Sequence, residues 1–261
     1  MAVDFTQSDG VGLLTLSQPD RLNPMNDATW TAMDALLDEL EAGPSGGLRA
    51  LVVTGAGRVF SAGGDINRMR AVLTSGRSEE EFRRSELARL RRIAASLVRF
   101  VRLPVVRVAA VNHCAVGAGL ALACACDYRI IDEDGFLDTS FGRLGLPGDT
   151  GITHFLPQLI GPHRARDWLL RPRRVPAPQA LSLGLVDEVV PTPQLLPRAH
   201  ELATQYAQAS PPLLRSVHHL VDTLPGLEPA LEAEAQATVT CKLSPAHRAA
   251  VTAFLNHQAQ R

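Results

Sequence analysis

Arg58-Val59-Phe60-Ser61-Ala62-Gly63-Gly64-Asp65-Ile66 follows the apolar run Leu51-Val52-Val53-Thr54, and further along Asn112-His113-Cys114-Ala115-Val116-Gly117-Ala118-Gly119 follows Val105-Val106-Arg107-Val108-Ala109-Ala110-Val111. Each pair reads as a strand running into a turn without bulky side chains, where backbone N–H groups can approach a ligand. Two such donors converging on one carbonyl oxygen favour its oxyanion over its ground state, and each is typically worth about 3 kcal/mol to a transition state. The pattern therefore predicts two amides aimed at one oxygen, suited to enolate formation or acyl transfer.

Outward from these loops the chain alternates strand and helix signals. Val11 to Leu16 reads as a strand, Gln18 to Pro24 breaks it, and a helix follows from about Asn26 to Ala42. Leu48 to Thr54 is the next strand. Ser78 to Val101 has helical spacing of Leu87, Leu90, Ile93, Ala94 and Leu97, and Pro104 ends it. The wholly apolar stretch after the second loop, Leu120 to Cys126, predicts a buried helix. Tyr128 to Ile131 and Phe136 to Ser140 are further strands. From Arg164 onward helices dominate, at Arg164 to Leu170, Pro178 to Leu183, Leu195 to Gln208, Pro211 to Thr223 and Leu227 to Phe254. An α/β core over residues 1–195 with a helical region over 196–261 follows. Stacked right-handed turns of strand and helix fit this order, and so does a doubly wound sheet.

The 261 residues are 46% hydrophobic with a formal net charge of −1, and this balance offers no electrostatic footprint for nucleic acid or an anionic membrane. Lys242 is the sole lysine; every other basic side chain of this kind is arginine. Arg83, Arg84, Arg89, Arg91 and Arg92 form a local cluster that reads as a solvated helix face in preference to a phosphate site. Cys114, Cys124, Cys126 and Cys241 lack the spacing of a zinc site or disulfide framework and read as buried small residues in a reducing compartment. The N-terminal residues lack a secretory pattern and no apolar run approaches the roughly 20 residues needed to cross a bilayer, so a cytoplasmic protein is expected.

With these residues in view, the chain resembles the enoyl-CoA hydratase/isomerase family, the crotonase superfamily, over essentially its full length. The marks are Gln18-Pro19-Asp20-Arg21-Leu22-Asn23, Phe60 to Ile66, Ala110-Val111-Asn112 with Gly117-Ala118-Gly119, Cys126-Asp127-Tyr128-Arg129-Ile130, Leu144-Gly145-Leu146 and Gly184 to Val190. The resemblance implies a spiral of ββα units, a helical C-terminal region that builds homotrimers or homohexamers, and an acyl-CoA thioester as substrate. Coenzyme A is then part of the substrate, and neither a separate cofactor nor a metal is implied. Carried over by position, the backbone N–H groups of Gly64 and Ala118 would be the oxyanion donors. Ala62, Gly63, Asp65 and Ile66 would line the adenine and pantetheine path, with Arg21 and Leu22 near the nucleotide. Asp65 reads as a loop-stabilising acceptor rather than a catalytic group. Phe254 matches an aromatic that reaches a neighbouring subunit's CoA in relatives, although the basic residues usual after it are here Asn256, His257 and Gln258.

Hydratases of this family place two glutamates around a water, and the matching positions are Ala121 and Phe141, which transfer no proton. One acid stands nearby, Asp149, in Gly145-Leu146-Pro147-Gly148-Asp149-Thr150-Gly151. It reads either as the N-cap of the following helix or, by position, as the acid/base of relatives that shift a double bond and the nucleophile of those that dehalogenate aromatic acyl-CoA. The dehalogenase type needs a histidine where this chain has Ala94, and a tryptophan near Phe141. Among weaker candidates, His113 reads as a buried hydrogen-bonded histidine, His154 as packed beside its helix, and Asp138 and Glu133 as solvated carboxylates; Thr150 either bonds Asp149 or simply occupies the first helical turn. The expected activity is enoyl-CoA isomerisation through Asp149, with Gly64 and Ala118 holding the enolate. The alternatives are an atypical hydratase lacking both glutamates and a non-catalytic acyl-CoA-binding or assembly subunit.

Overall fold

A computed structural model describes residues 1–42, 47–209, 213–214, 217 and 226–259. Its strands are β1 (Val3–Ser8), β2 (Val11–Leu16), β3 (Ala50–Gly55), β4 (Val106–Val111), β5 (Cys114–Val116), β6 (Tyr128–Asp132), β7 (Phe136–Asp138), β8 (Val175–Pro176) and β9 (Glu188–Val190). The helices are α1 (Asp27–Ala42), α2 (Ile66–Leu73), α3 (Glu79–Arg102), α4 (Ala118–Cys124), α5 (Ile152–Ile160), α6 (Pro162–Leu170), α7 (Ala177–Ser182), α8 (Leu195–Tyr206), α9 (Leu227–Leu243) and α10 (Pro245–Ala259).

Two sheets stack these elements. The larger runs β1-β2-β3-β4-β6-β9 and is parallel except for the β1–β2 hairpin; the smaller runs β5-β7-β8. Successive turns of chain contribute to both sheets: β4 is followed by β5, β6 by β7, and β3 by Ser61, which bridges Ala115 in parallel. This repeated advance distinguishes the expected ββα spiral from a single doubly wound sheet. β3 and β4 are buried along their whole length because helices or strands cover both faces, which explains their unbroken apolar sequences. Leu195, Ala199 and Leu202 of α8 close one face against Val52, Val108 and Ala110. The opposite face is the main core of Leu51, Val53, Ala109 and Val111 with Trp30, Phe60 and Phe100.

Several boundaries differ from the sequence reading. β1 alternates weakly and escaped detection, yet its register with β2 is continuous from Val3 to Ser8. The helix expected from Leu227 to Phe254 is two helices, because Ser244 is extended and Pro245 starts α10. The helix expected at Pro211 to Thr223 lies mostly outside the described residues. Cys114, Cys124 and Cys126 are buried thiols, and Cys241 is half-buried. The arginine face of α3 is more engaged than expected: Arg83 pairs with Glu79, Arg91 with Glu232, and Arg89 and Arg92 with Asp27. Among the described residues no helix is long and apolar enough to cross a membrane.

Candidate active site

The two glycine-rich loops meet because they extend adjacent strands in register. Ser61 N–H donates to Cys114 O at 3.1 Å and Val116 N–H donates to Ser61 O at 3.0 Å. Three residues beyond the bridged pair Ser61 and Ala115, the chains reach Gly64 and Ala118. Contact this close requires glycine at Gly63: its φ is +89° and an added Cβ would lie 2.6 Å from Val116 O. Neither the Gly64 nor the Ala118 amide donates to a protein acceptor among the described residues, and Ala118 stands at the first position of α4, where helix amides point outward.

Gly64, Ala118 and Asp149 line one cavity of about 320 Å³. Phe141, at one hydratase-glutamate position, also lines it, whereas Ala121 is wholly buried within α4. Three carboxylates line the cavity. Asp65 pairs with Arg21 at 2.8 Å and caps α2 through Asn67 N–H, while Glu79 pairs with Arg83. Asp149 has no cationic partner among the described residues; its Oδ1 accepts only the Thr150 hydroxyl at 3.0 Å. It is not the helix cap: Gly151 occupies that position, and no side-chain bond closes the end of α5 from there.

A different carboxylate caps this helix. Glu234 of α9 accepts from Gly151 N–H and Thr153 N–H, each at 2.8 Å, and from the Thr153 hydroxyl. Thr238, one turn later, donates to Gly148 O at 2.8 Å. Gly148, Thr150 and Gly151 all have positive φ, so the backbone on both sides of Asp149 is in a conformation that needs outside support. Burial pushes the Glu234 carboxyl above its ordinary range, opposed by its bonds to Thr153 and the two amides, and Asp149 nearby adds to the rise. On the adjoining wall, His247 of α10 donates from Nδ1 to Leu144 O at 2.5 Å and is kept below its ordinary pKa chiefly by burial. These C-terminal residues escaped the sequence reading because their partners lie more than eighty residues away and no local pattern marks them.

The other anticipated residues divide clearly. Arg21 and Leu22 lie beside the first loop, where Ala62 N–H donates to Leu22 O at 2.9 Å. Ala62, Gly63 and Ile66 belong to that ledge but not to the cavity wall. Phe254 packs half-buried against the chain's own core, outside the cavity. His113 is exposed rather than buried, because its backbone takes a left-handed turn held by Asp132 and its ring leans on the edge of Phe136. Asp138 is buried rather than solvated, accepting from Ser140 N–H and pairing with Arg143. Glu133 is exposed, and His154 packs edge-on against Phe155 away from the cavity. Among the described residues no group of three or more His, Cys, Asp or Glu could hold a metal ion.

Taken chemically, the cavity offers two amides and a carboxylate that find no acceptor and no cation among the described residues, the parts needed to polarise a carbonyl and move an adjacent proton. Comparison with known proteins agrees with this chemistry at the level of family. The family model for enoyl-CoA hydratase/isomerase matches residues 6–259. A Thermus thermophilus protein provisionally called an enoyl-CoA hydratase is 36% identical over 218 residues, covering 83% of this chain and 82% of its own. The ethylmalonyl-CoA decarboxylase of Mus musculus is 29% identical over 252 residues, covering 94% and 74%. The crystal structure of a monofunctional enoyl-CoA isomerase from M. smegmatis superposes with a TM-score of 0.69 at 30% identity, covering 90% of this chain and 99% of that one. By sequence and by its ββα spiral, the chain belongs to the enoyl-CoA hydratase/isomerase family.

Proposed function

We propose that this family member isomerises an enoyl-CoA, with Asp149 as the single acid/base and the Gly64 and Ala118 amides holding the thioester enolate. The carboxylate would remove a proton from the carbon between the thioester and a 3,4 double bond, and electron density would move onto the thioester oxygen. Collapse of the enolate then takes the same proton back two carbons further out and leaves the conjugated 2-enoyl thioester. One residue serves both transfers, so a second acid is unnecessary. The observation that carries this reading is that Asp149 alone, of the described carboxylates lining the cavity, has no cationic partner. Phe141 and Ala121 disfavour hydration, since neither side chain can take or give a proton.

The Ala62 to Ile66 ledge with Arg21 and Leu22 would carry the pantetheine and nucleotide of CoA. Assembly into a homotrimer or homohexamer is part of the same proposal, and light scattering reads it. The activity is tested with a panel of 3-enoyl-CoA thioesters, following the conjugated product and its mass. Conjugation at constant mass supports isomerisation, added water replaces it with hydration, and loss of carbon dioxide from a carboxylated thioester replaces it with decarboxylation. Tight binding without turnover of any thioester leaves a non-catalytic binder. Asp149→Asn is expected to keep fold and binding while lowering turnover by about 10²–10⁴-fold, the usual worth of a general acid/base; an unchanged rate removes Asp149 from the mechanism.

A further inference from the structure

The cavity contains a second concentration of charge that the proton-transfer reading leaves unused. Glu86 of α3 is only 2% exposed and is surrounded by three cations: Lys242 Nζ at 2.8 Å, Arg68 at 2.5 Å and Arg89 at 3.3 Å. These three come from the end of α9, from α2 and from α3, and all three line the cavity. The one other carboxylate paired within this cluster is Asp27, which meets Arg89 at 2.6 Å and Arg68 at 3.7 Å and is shared with Arg92. Asp27 is about half exposed and does not line the cavity. Four cations thus share two carboxylates. Two additional cavity-lining guanidinium groups, Arg77 and Arg248, make no ion pair within 4.0 Å among the described residues, Arg77 acting on Glu81 only at longer range.

The type of residue matters as well as the count. This chain uses arginine for every other cation of this kind, yet places its one lysine here. An ammonium is a compact charge with three donors in tetrahedral directions. Glu86 occupies one of them, and among the described residues no second acceptor meets this ammonium. A surplus of cations on a partly enclosed wall is unfavourable unless an anion completes it. Asp149, the cavity-lining carboxylate without a cation among the described residues, makes no ion pair with these groups, and Phe82 and Ile93 beside them carry no charge, so an anion from outside the protein is left to complete the cluster.

We propose that Lys242, with Arg68 and Arg89, forms a subsite for a carboxylate carried on the acyl group, so that the preferred thioester is that of a dicarboxylic acid rather than a plain fatty acid. This rests on the reading of the cavity as an acyl-CoA site, but not on isomerisation. The shared chemistry is anion recognition, and the phosphates of CoA itself are the other source of such an anion.

Equilibrium titration separates the two sources, using glutaryl-CoA against pentanoyl-CoA, which match in chain length and differ in the terminal carboxylate, with free CoA as a third ligand. The wild-type protein should bind glutaryl-CoA about tenfold or more tightly than pentanoyl-CoA, as expected for a close, partly desolvated charge pair. Lys242→Met should remove most of that preference while leaving pentanoyl-CoA and CoA unchanged, and Lys242→Arg should retain part of it. Glu86 keeps Arg68 and Arg89 in the methionine variant, and circular dichroism with a thermal melt checks that it folds. Equal affinity of the two thioesters for the wild-type protein overturns the proposal. So does an equal weakening of all three ligands by Lys242→Met, which would assign the cations to the CoA phosphates. Failure of every ligand to bind overturns both the subsite and the acyl-CoA reading, whereas a carboxylate preference without isomerase turnover upholds the subsite and overturns only the isomerase.

Discussion

Replacing Glu234 should disable Asp149 without touching it. The Glu234 carboxylate joins Gly151 N–H and Thr153 N–H at 2.8 Å each, and it reaches them from a helix more than eighty residues away. In Glu234→Ala, two amides and the Thr153 hydroxyl lose their acceptor in a site that is 6% exposed at the glutamate. Three hydrogen bonds to a charged group at about 1.5–3 kcal/mol each sum to about 4.5–9 kcal/mol, and relief of the burial that raises this carboxyl offsets part of the sum, so the variant should lose about 3–5 kcal/mol of an expected total of about 5–15 kcal/mol. Glu234→Gln keeps one carbonyl acceptor and a similar shape, and should lose about 1–2 kcal/mol. The kinetic effect should exceed what stability alone causes. Without its clamp the left-handed segment around Asp149 relaxes, and displacement of a reacting group by about 1 Å can cost about 10²-fold in rate. Urea unfolding gives the first quantity, and turnover of a 3-enoyl-CoA at a temperature where the variant remains folded gives the second. We expect kcat to fall with little change in KM, and the glutamine variant to recover most of it. A folded Glu234→Ala protein with wild-type kcat would refute the reasoning, since the Asp149 loop would then hold its shape unaided.

Acid stability should depend on Glu86. Burial, the largest single influence, pushes its carboxyl up, but Lys242, Arg68 and Arg89 together outweigh it and hold the group at about 2. The folded state therefore binds fewer protons than the unfolded chain between pH 4.5 and about 2, so this contribution, about 3 kcal/mol, is complete above that window and is lost as pH falls through it. Urea midpoints measured from pH 6 downward should fall less steeply in Glu86→Gln, and an identical slope would count against the cluster. Gly63→Ala combines a positive φ with a Cβ 2.6 Å from Val116 O; we expect about 2–4 kcal/mol of destabilisation and weakened thioester binding, read by thermal melting and titration, and a melt like the wild type's would show that the loops have room to separate. Cys124 and Cys126, whose thiols burial pushes up to about 12, should resist alkylation in the native protein at pH 8, with Cys241 reacting first; rapid labelling of either buried thiol, identified by mass, would contradict their burial.

The core was legible because its signals are local and redundant. An apolar β-branched run followed by a glycine-rich turn specifies a buried parallel strand and its exit together, and β3 and β4 both emerged with their loops in the expected places. Ser78 and Glu81 form the capping box that opens α3, so its start could be read to the residue. β1 lacks such redundancy, since it is an edge strand with one mostly exposed face, and its pairing with β2 is decided by the hairpin at Asp9-Gly10 rather than by its own side chains. The break between α9 and α10 carried a signal that helical composition outweighed: Ser244-Pro245 disfavours continuation, because proline restricts the residue before it.

The candidate site divides along the same line between local and distant causes. Gly64 and Ala118 are placed by the register of two neighbouring strands, and that register is written in the strands themselves. Asp149 is recognisable as an acid in a glycine-rich turn, but what orients it comes from Glu234 and Thr238, which are an unremarked acid and hydroxyl on a helix of small residues. Burial of both can arise only after α9 has packed against α3 and α5, a long-range event with no periodic trace. The same packing carries Lys242 to Glu86, residues 156 apart in the chain. In this molecule the spiral core fixes where a thioester oxygen could be held, while the returning C-terminal helices fix the acid that would act on its neighbour and the charges against which an acyl group would lie. Changes in α9 should therefore alter turnover and acyl preference while leaving the amide pair in place, and changes in the two glycine-rich loops should do the reverse.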